Sequence, residues 1–147
     1  MECREAQSGM NREALKQQLI RHEGIVPHAY RCTEGWLTIG VGRLIDKERG
    51  GGLSPDEIEY LLNNDIERVH YQLTKRIGFW DRLTSSQQQA LCNMAFQLGV
   101  NGLLGFRRML HALELGNKAM AESEALDSKW ARQTPNRARE VAAMLKR

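Results

Sequence analysis

The chain has 147 residues, enough for one domain with a sizeable core or for two small lobes sharing a helix. Hydrophobic residues at 41% and charged residues at 27% are ordinary for a globular protein and exclude disordered and fibrous classes. The formal charge of +3 is mild, and the chain lacks the dense basic stripe with interleaved aromatics expected of a strong nucleic-acid binder.

Residues 1–9 are polar and end in Ser8-Gly9, which reads as a disordered leader or expression remnant that frays. From Asn11, a helix cap, the positions Ala14, Leu15, Gln18 and Leu19 give a helical period to about His22, closed by Gly24. A loop containing Pro27 follows. Residues 33–43 then alternate as a hairpin with Glu34-Gly35 at the turn, and Gly40 and Gly42 in its second strand imply bulges or a close backbone approach.

After the glycine-rich turn at 49–52, Ser54-Pro55-Asp56-Glu57 starts a helix: a Ser cap, Pro at the first helical position, and Glu57 completing a capping box. Ile58, Leu61, Leu62, Ile66 and Val69 continue it at three- and four-residue intervals to about Lys75. At roughly 20 residues it is about 30 Å long, enough to run from one lobe to another. Further helices are predicted over 85–99, 106–115, 119–126 and 134–146, with a turn at 99–105. The fold class is α+β: a small N-terminal lobe over about 20–54 with an antiparallel hairpin, a connecting helix over about 55–75, and a helical C-terminal lobe over about 76–147.

Cys3, Cys32 and Cys92 are odd in number, far apart and without metal-ligand spacing, which points to a reducing compartment and implies neither metal nor cofactor. Cys92, in an apolar helical run, reads as a small buried hydrophobe. No stretch reaches the length of about 20 apolar residues needed to span a membrane, and residues 1–9 lack the apolar core of a signal peptide. The expectation is a monomer without stable membrane insertion that does not leave a cytoplasm unaided.

A carboxylate, a thiol and a hydroxyl stand along one stretch at Glu23, Cys32 and Thr38, with 8 residues between the first pair and 5 between the second. This spacing, with Tyr30, Thr33-Glu34-Gly35 and Thr38-Ile39-Gly40-Val41-Gly42 around it, resembles the phage-type lysozymes of glycoside hydrolase family 24. The resemblance continues through residues 54–65, Asn93-Met94-Ala95-Phe96-Gln97-Leu98-Gly99, Ser128-Lys129-Trp130 and Gln133-Thr134-Pro135-Asn136-Arg137-Ala138. It covers the chain from about residue 11 to the end, which makes residues 10–147 one lysozyme domain.

The resemblance implies hydrolysis of the β-1,4 bond between N-acetylmuramic acid and N-acetylglucosamine, with peptidoglycan glycan strands as partner and no nucleic acid. Such chemistry needs one group to protonate the departing oxygen and another to supply or activate a nucleophile at the anomeric carbon. Glu23 matches the family's general acid and Thr38 its positioning residue. Cys32 stands where Asp is commoner, as base or nucleophile, and an unperturbed thiol near pKa 8.5 is only a few per cent ionised at pH 7. Arg31 would favour the thiolate and Glu34 oppose it.

Three readings of Cys32 stand open: a natural catalytic thiol, an introduced replacement for Asp, and a structural cysteine in a silenced site. Cys3 adds the option of a disulfide to Cys32 that blocks the site. Tyr30, Trp36, Phe96, Gln97, Asn136 and Arg137 match positions that line the glycan groove, Phe96 also fitting an apolar core stripe. Arg137 is expected beside the acid, and Arg43 is expected to pair with Asp65. Against a lysozyme that reaches the wall through a holin lesion stand a non-hydrolysing peptidoglycan-binding module and a helical nucleic-acid binder using residues 132–147.

Overall fold

The computed structural model describes residues 9–147, and the chain divides into two compact units between Ile58 and Glu59. In the first unit, helix α1 spans Arg12–Glu23. Asn11 Oδ1 accepts the Ala14 N–H at 2.9 Å, and Gly24, at φ 76°, donates its N–H to Ile20 O. The cap satisfies an end donor that would otherwise be orphaned, and the left-handed glycine lets the chain turn away immediately after Glu23.

Three antiparallel strands follow in the order β1-β2-β3: β1 Val26–Arg31, β2 Leu37–Gly40 and β3 Arg43–Leu44. Tyr30 faces Thr38, Arg31 faces Leu37 and Val26 faces Gly40, with an irregularity in register between Val26 and Tyr30. The stretch expected to be a Pro27 loop is therefore the first strand. Pro27 is tolerated because β1 is an edge strand and the register breaks beside it. The turn after it lies where the glycine predicted it, with Gly35 at φ 86°.

The segment after β3 forms a 3-10 turn at Lys47–Arg49, capped by Asp46 Oδ1 on the Glu48 N–H. Arg43 then donates to Gly52 O at 3.2 Å and reaches the Glu57 carboxylate at 2.8 Å. Arg43 thus takes Glu57 as its partner, and Asp65 takes Arg68 three residues on. Glu57 stands in the first turn of the helix that begins at Pro55, and Asp65 and Arg68 pair near that helix's middle, in place of the Arg43–Asp65 pair expected from sequence.

Helix α2, Pro55–Arg76, starts in the first unit and continues in the second. Its predicted capping box is present: Ser54 Oγ accepts from the Glu57 N–H and Glu57 Oε1 from the Ser54 N–H at 2.8 Å. Of its apolar stripe only Leu73 is buried, while Ile58, Leu61, Leu62 and Ile66 are exposed.

The second unit comprises the rest of α2 and six more helices: α3 Ser85–Leu98, α4 Val100–Leu104, α5 Arg107–Glu114, α6 Lys118–Leu126, α7 Lys129–Gln133 and α8 Pro135–Leu145. Two of these, α4 and α7, were not expected. The α4 segment was read as a turn because of its glycines, but Leu103 is fully buried and tertiary packing overrides the weak propensity. Every buried apolar side chain among the described residues lies in this unit, around Leu73, Leu91, Met94, Leu103, Met109, Val141 and Leu145. Buried Gln87 donates to Leu145 O at 3.0 Å and Ser86 to Met144 O at 2.9 Å, tying the start of α3 to the end of α8. Among the described residues no helix is long and apolar enough to cross a membrane.

Two measurements test this division of labour. Leu91→Ala, which empties a fully buried site, is expected to cost about 2–5 kcal/mol in denaturant unfolding, whereas Leu115→Ala at an exposed position should stay within about 0.5 kcal/mol. The Arg43 guanidinium and the Ser54 N–H hold the Glu57 carboxyl down at about 2 from an ordinary 4.5. The stability it contributes is fully present above about pH 4.5 and is lost as pH falls toward about 2. Glu57→Gln should therefore flatten the acid limb of thermal stability in that window, followed by circular dichroism.

Candidate active site

The β1–β2 turn sets the position of the thiol. Cys32 N–H donates to Trp36 O at 2.9 Å and Gly35 N–H to Cys32 O at 2.8 Å, so the backbone folds back on itself around Cys32. Backbone N–H groups of Trp36 and Glu34 then face the sulfur, and with the Thr38 hydroxyl they draw the Cys32 thiol below its ordinary 9.0. Partial desolvation and the Glu34 carboxylate work in the opposite direction. Arg31, expected to favour the thiolate, instead donates its guanidinium to Gly35 O at 2.9 Å and braces the turn.

Thr38 is only 4% exposed and is the sole buried residue of the first unit among the described residues. Its register opposite Tyr30 and Leu44 places it in the middle strand of the sheet. The hydroxyl donates to Trp36 O at 2.9 Å and also lies within reach of the Cys32 sulfur. A hydroxyl has one proton to donate. Ionisation of Cys32 therefore gives that proton a second acceptor and couples the two side chains.

Glu23 is the last residue of α1, presented to solvent by the turn at Gly24. Its carboxyl rests on the backbone of Gly42, in the turn joining β2 to β3: a Cβ built on Gly42 would lie 2.9 Å from Glu23 Cδ and from Oε2. The sequence signalled a close approach at Gly42 but not what approaches it. Tyr30 is half-buried on β1, and half-buried Trp36 carries the Arg49 guanidinium 4.9 Å above its ring. That stacking has no sequence signature, since it joins a turn to a separate 3-10 segment.

In the second unit, Gln97 Oε1 accepts the Trp130 indole N–H at 2.8 Å. Arg137 donates from Nε to Asn93 Oδ1 at 3.0 Å and from Nη2 to Asn93 O at 3.2 Å, so the cation is anchored to α3. Asn93 stood inside a motif without a role of its own. Asn136 accepts from Arg139. Phe96, which also fitted a core stripe, is 47% exposed and lines a cavity of about 300 Å3 with Leu62, Ile66, Cys92 and Arg137. A broader trough of about 670 Å3 runs past Phe106 and Trp130, with Arg107, Arg108 and Lys129 on its rim. Cys92 is half-buried against the core, and burial pushes its thiol up. Cys3, and with it the option of a Cys3–Cys32 disulfide and most of the expected leader, lies outside the described residues.

Among the described residues no three of His, Cys, Asp and Glu cluster as a metal site. The arrangement supplies a solvent-facing carboxyl, a thiol activated by backbone donors, and a hydroxyl coupled to that thiol. These are groups that can give a proton, take one, or attack an electrophilic carbon.

Comparison with known proteins adds a family-model match, "Phage lysozyme", over residues 20–147. The chain is 30% identical to the pre-baseplate central spike protein of Enterobacteria phage T4, over 90% of this chain and 27% of that protein, so it spans about a quarter of the spike protein's length. It is 28% identical to probable T4-type lysozyme 1 of Dictyostelium discoideum, over 90% of this chain and 93% of that one. An endolysin of Acyrthosiphon pisum secondary endosymbiont phage 1 is 28% identical, over 79% and 76% of the two chains.

The opposite shifts of the two thiols predict an order of reactivity. With the Cys32 thiol lowered and the Cys92 thiol raised, iodoacetamide should modify Cys32 at a lower pH than Cys92, as read by peptide mass mapping. Thr38→Val should move the Cys32 reaction to higher pH.

Proposed function

Because the chain belongs to the phage lysozyme family and is a lysozyme-type hydrolase, we propose that it cleaves the β-1,4 bond between N-acetylmuramic acid and N-acetylglucosamine in peptidoglycan, with Glu23, Cys32 and Thr38 carrying the reaction. The observation that supports this most is the coupling of the Cys32 thiol, drawn down by two backbone donors, to the one buried hydroxyl among the described residues of the first unit. A lone structural cysteine has no need of such partners.

In this reading Glu23 gives its proton to the glycosidic oxygen as the bond to the anomeric carbon breaks. Cys32, as thiolate, either attacks the anomeric carbon or removes a proton from a water that does, with Thr38 orienting it. The two routes differ in outcome: direct attack followed by hydrolysis retains the anomeric configuration, and attack by water inverts it. Tyr30, Trp36, Phe96, Gln97, Asn136 and Arg137 serve the glycan, the aromatics by their faces and the polar groups by hydrogen bonds.

The domain reading goes with it: residues 10–147 act as one lysozyme domain, monomeric, with lobes over about 20–54 and 76–147 joined by the helix between them. The biological setting we propose is a phage or prophage endolysin that accumulates in the host cytoplasm and reaches the wall through a holin lesion, causing lysis. Likeness to a relative named endolysin supports that setting. Likeness to part of a phage spike protein supports a second one, local opening of the wall during entry, with the same chemistry.

Turbidity clearing of outer-membrane-permeabilised bacteria tests the assignment. Glu23→Gln is expected to lower the rate by about 10²–10⁴-fold, the usual contribution of a general acid. Cys32→Asp should remain lytic and Cys32→Ala should not. Clearing by Cys32→Ala at the parent rate removes the thiol from the reaction, and wall binding without clearing by the parent turns the protein into a binding module.

A further inference from the structure

Two glycines at the β2–β3 turn share a positive φ but not an environment. Gly40 ends β2 at φ 70° and Gly42 sits two residues later at φ 63°. Both are in the left-handed region, where an L side chain is strained wherever it points. The space that a side chain would enter separates them. At Gly40 nothing lies within 4 Å of a built Cβ, whereas at Gly42 that atom would meet Glu23 Cδ and Oε2 at 2.9 Å and Cγ at 3.1 Å. Real Cβ contacts essentially never reach that distance, so a side chain at 42 would displace the carboxyl.

Among the described residues of the first unit the Glu23 carboxyl accepts no hydrogen bond and meets no cation at ion-pair distance. Contact with the Gly42 backbone is therefore what the structure offers to fix its position at the end of α1. From this we infer that Gly42 is a positioning residue for Glu23: the missing Cβ leaves the notch in which the carboxyl rests, and the turn from β2 to β3 aims the proton donor. The inference rests on the reading of Glu23 as the acid. It assigns to Gly42 no contact with the substrate and no chemistry of its own.

The close match in φ makes Gly40→Ala a built-in control for the cost of a side chain at positive φ. Reducing-end release from soluble, uncrosslinked peptidoglycan strands separates kcat from KM. Gly42→Ala is expected to lower kcat by about 10- to 100-fold with KM within about twofold, the scale of loss that misplacement of a reacting group by about 1 Å produces. Gly40→Ala should lose the thermal stability that a positive φ alone costs, less than Gly42→Ala loses, and keep kcat within about threefold.

A stability cycle tests the contact without reference to activity. Gly42→Ala should destabilise more than Gly40→Ala in the parent, and that excess should disappear in a Glu23→Ala background, where the clash has been removed. If Gly42→Ala alone does not fold, recovery of folding in Gly42→Ala/Glu23→Ala supports the contact, and failure of both overturns it. Equal loss of kcat in the two glycine variants, or an excess that survives Glu23→Ala, also overturns it. Full activity of Glu23→Gln has a different meaning: it removes the acid assignment while leaving the cycle to report on the contact.

Discussion

The hydroxyl of Thr38 is the point on which the first unit turns. It is the one buried residue there among the described positions, it donates to the Trp36 carbonyl, and it lies within reach of the Cys32 sulfur. The same Trp36 carbonyl accepts the Cys32 N–H, closing the turn that carries the thiol. One strand residue thus joins the geometry of the hairpin to the ionisation of the group at its tip. A polar group buried in this way must be hydrogen-bonded to be tolerated, and here the partners that satisfy it are those that shape the site.

The two units are stabilised by different means. The second has a packed core built from α2, α3 and the helices after it, with Trp80, Trp130 and a run of fully buried Leu and Met side chains. The first buries no apolar side chain among its described residues. It relies on capped helix ends, a three-stranded hydrogen-bond ladder and the Arg43–Glu57 pair that fastens β3 to the start of α2. Hydrogen bonds and exposed ion pairs each contribute little net free energy. The part of the chain that carries Glu23, Cys32 and Thr38 is therefore specified by turn geometry and glycine placement more than by packing. Such local specification makes it sensitive to acid and to single backbone changes.

A thiol at position 32 changes what its neighbours must do. A carboxylate there would be ionised near neutrality without help, because its ordinary pKa is about 4. A thiol starts near 9.0 and is drawn down by Trp36 and Glu34 backbone donors with the Thr38 hydroxyl, against the Glu34 charge. These donors belong to the backbone of the turn and to a strand residue, so they would serve Asp or Cys alike. The same backbone donors suit either side chain, a carboxylate ionising at lower pH than a thiol.

The sequence by itself determined the α+β class, the capping box at Ser54 and Glu57, the turn at Glu34-Gly35 and the stop at Gly24. Each of these is set by contacts within a few residues, where propensity, capping and positive φ act. The motif segments likewise marked Glu23, Cys32 and Thr38, the groups of the proposed reaction. What tertiary structure decided was every feature that depends on groups distant in the chain. Pro27 sits in a strand because an edge position asks nothing of its missing N–H; α4 is helical because Leu103 has a core to enter. Arg137 lies on Asn93, 44 residues away, and Glu23 on Gly42, because side-chain partners are chosen by the space the fold leaves open, which no local pattern records.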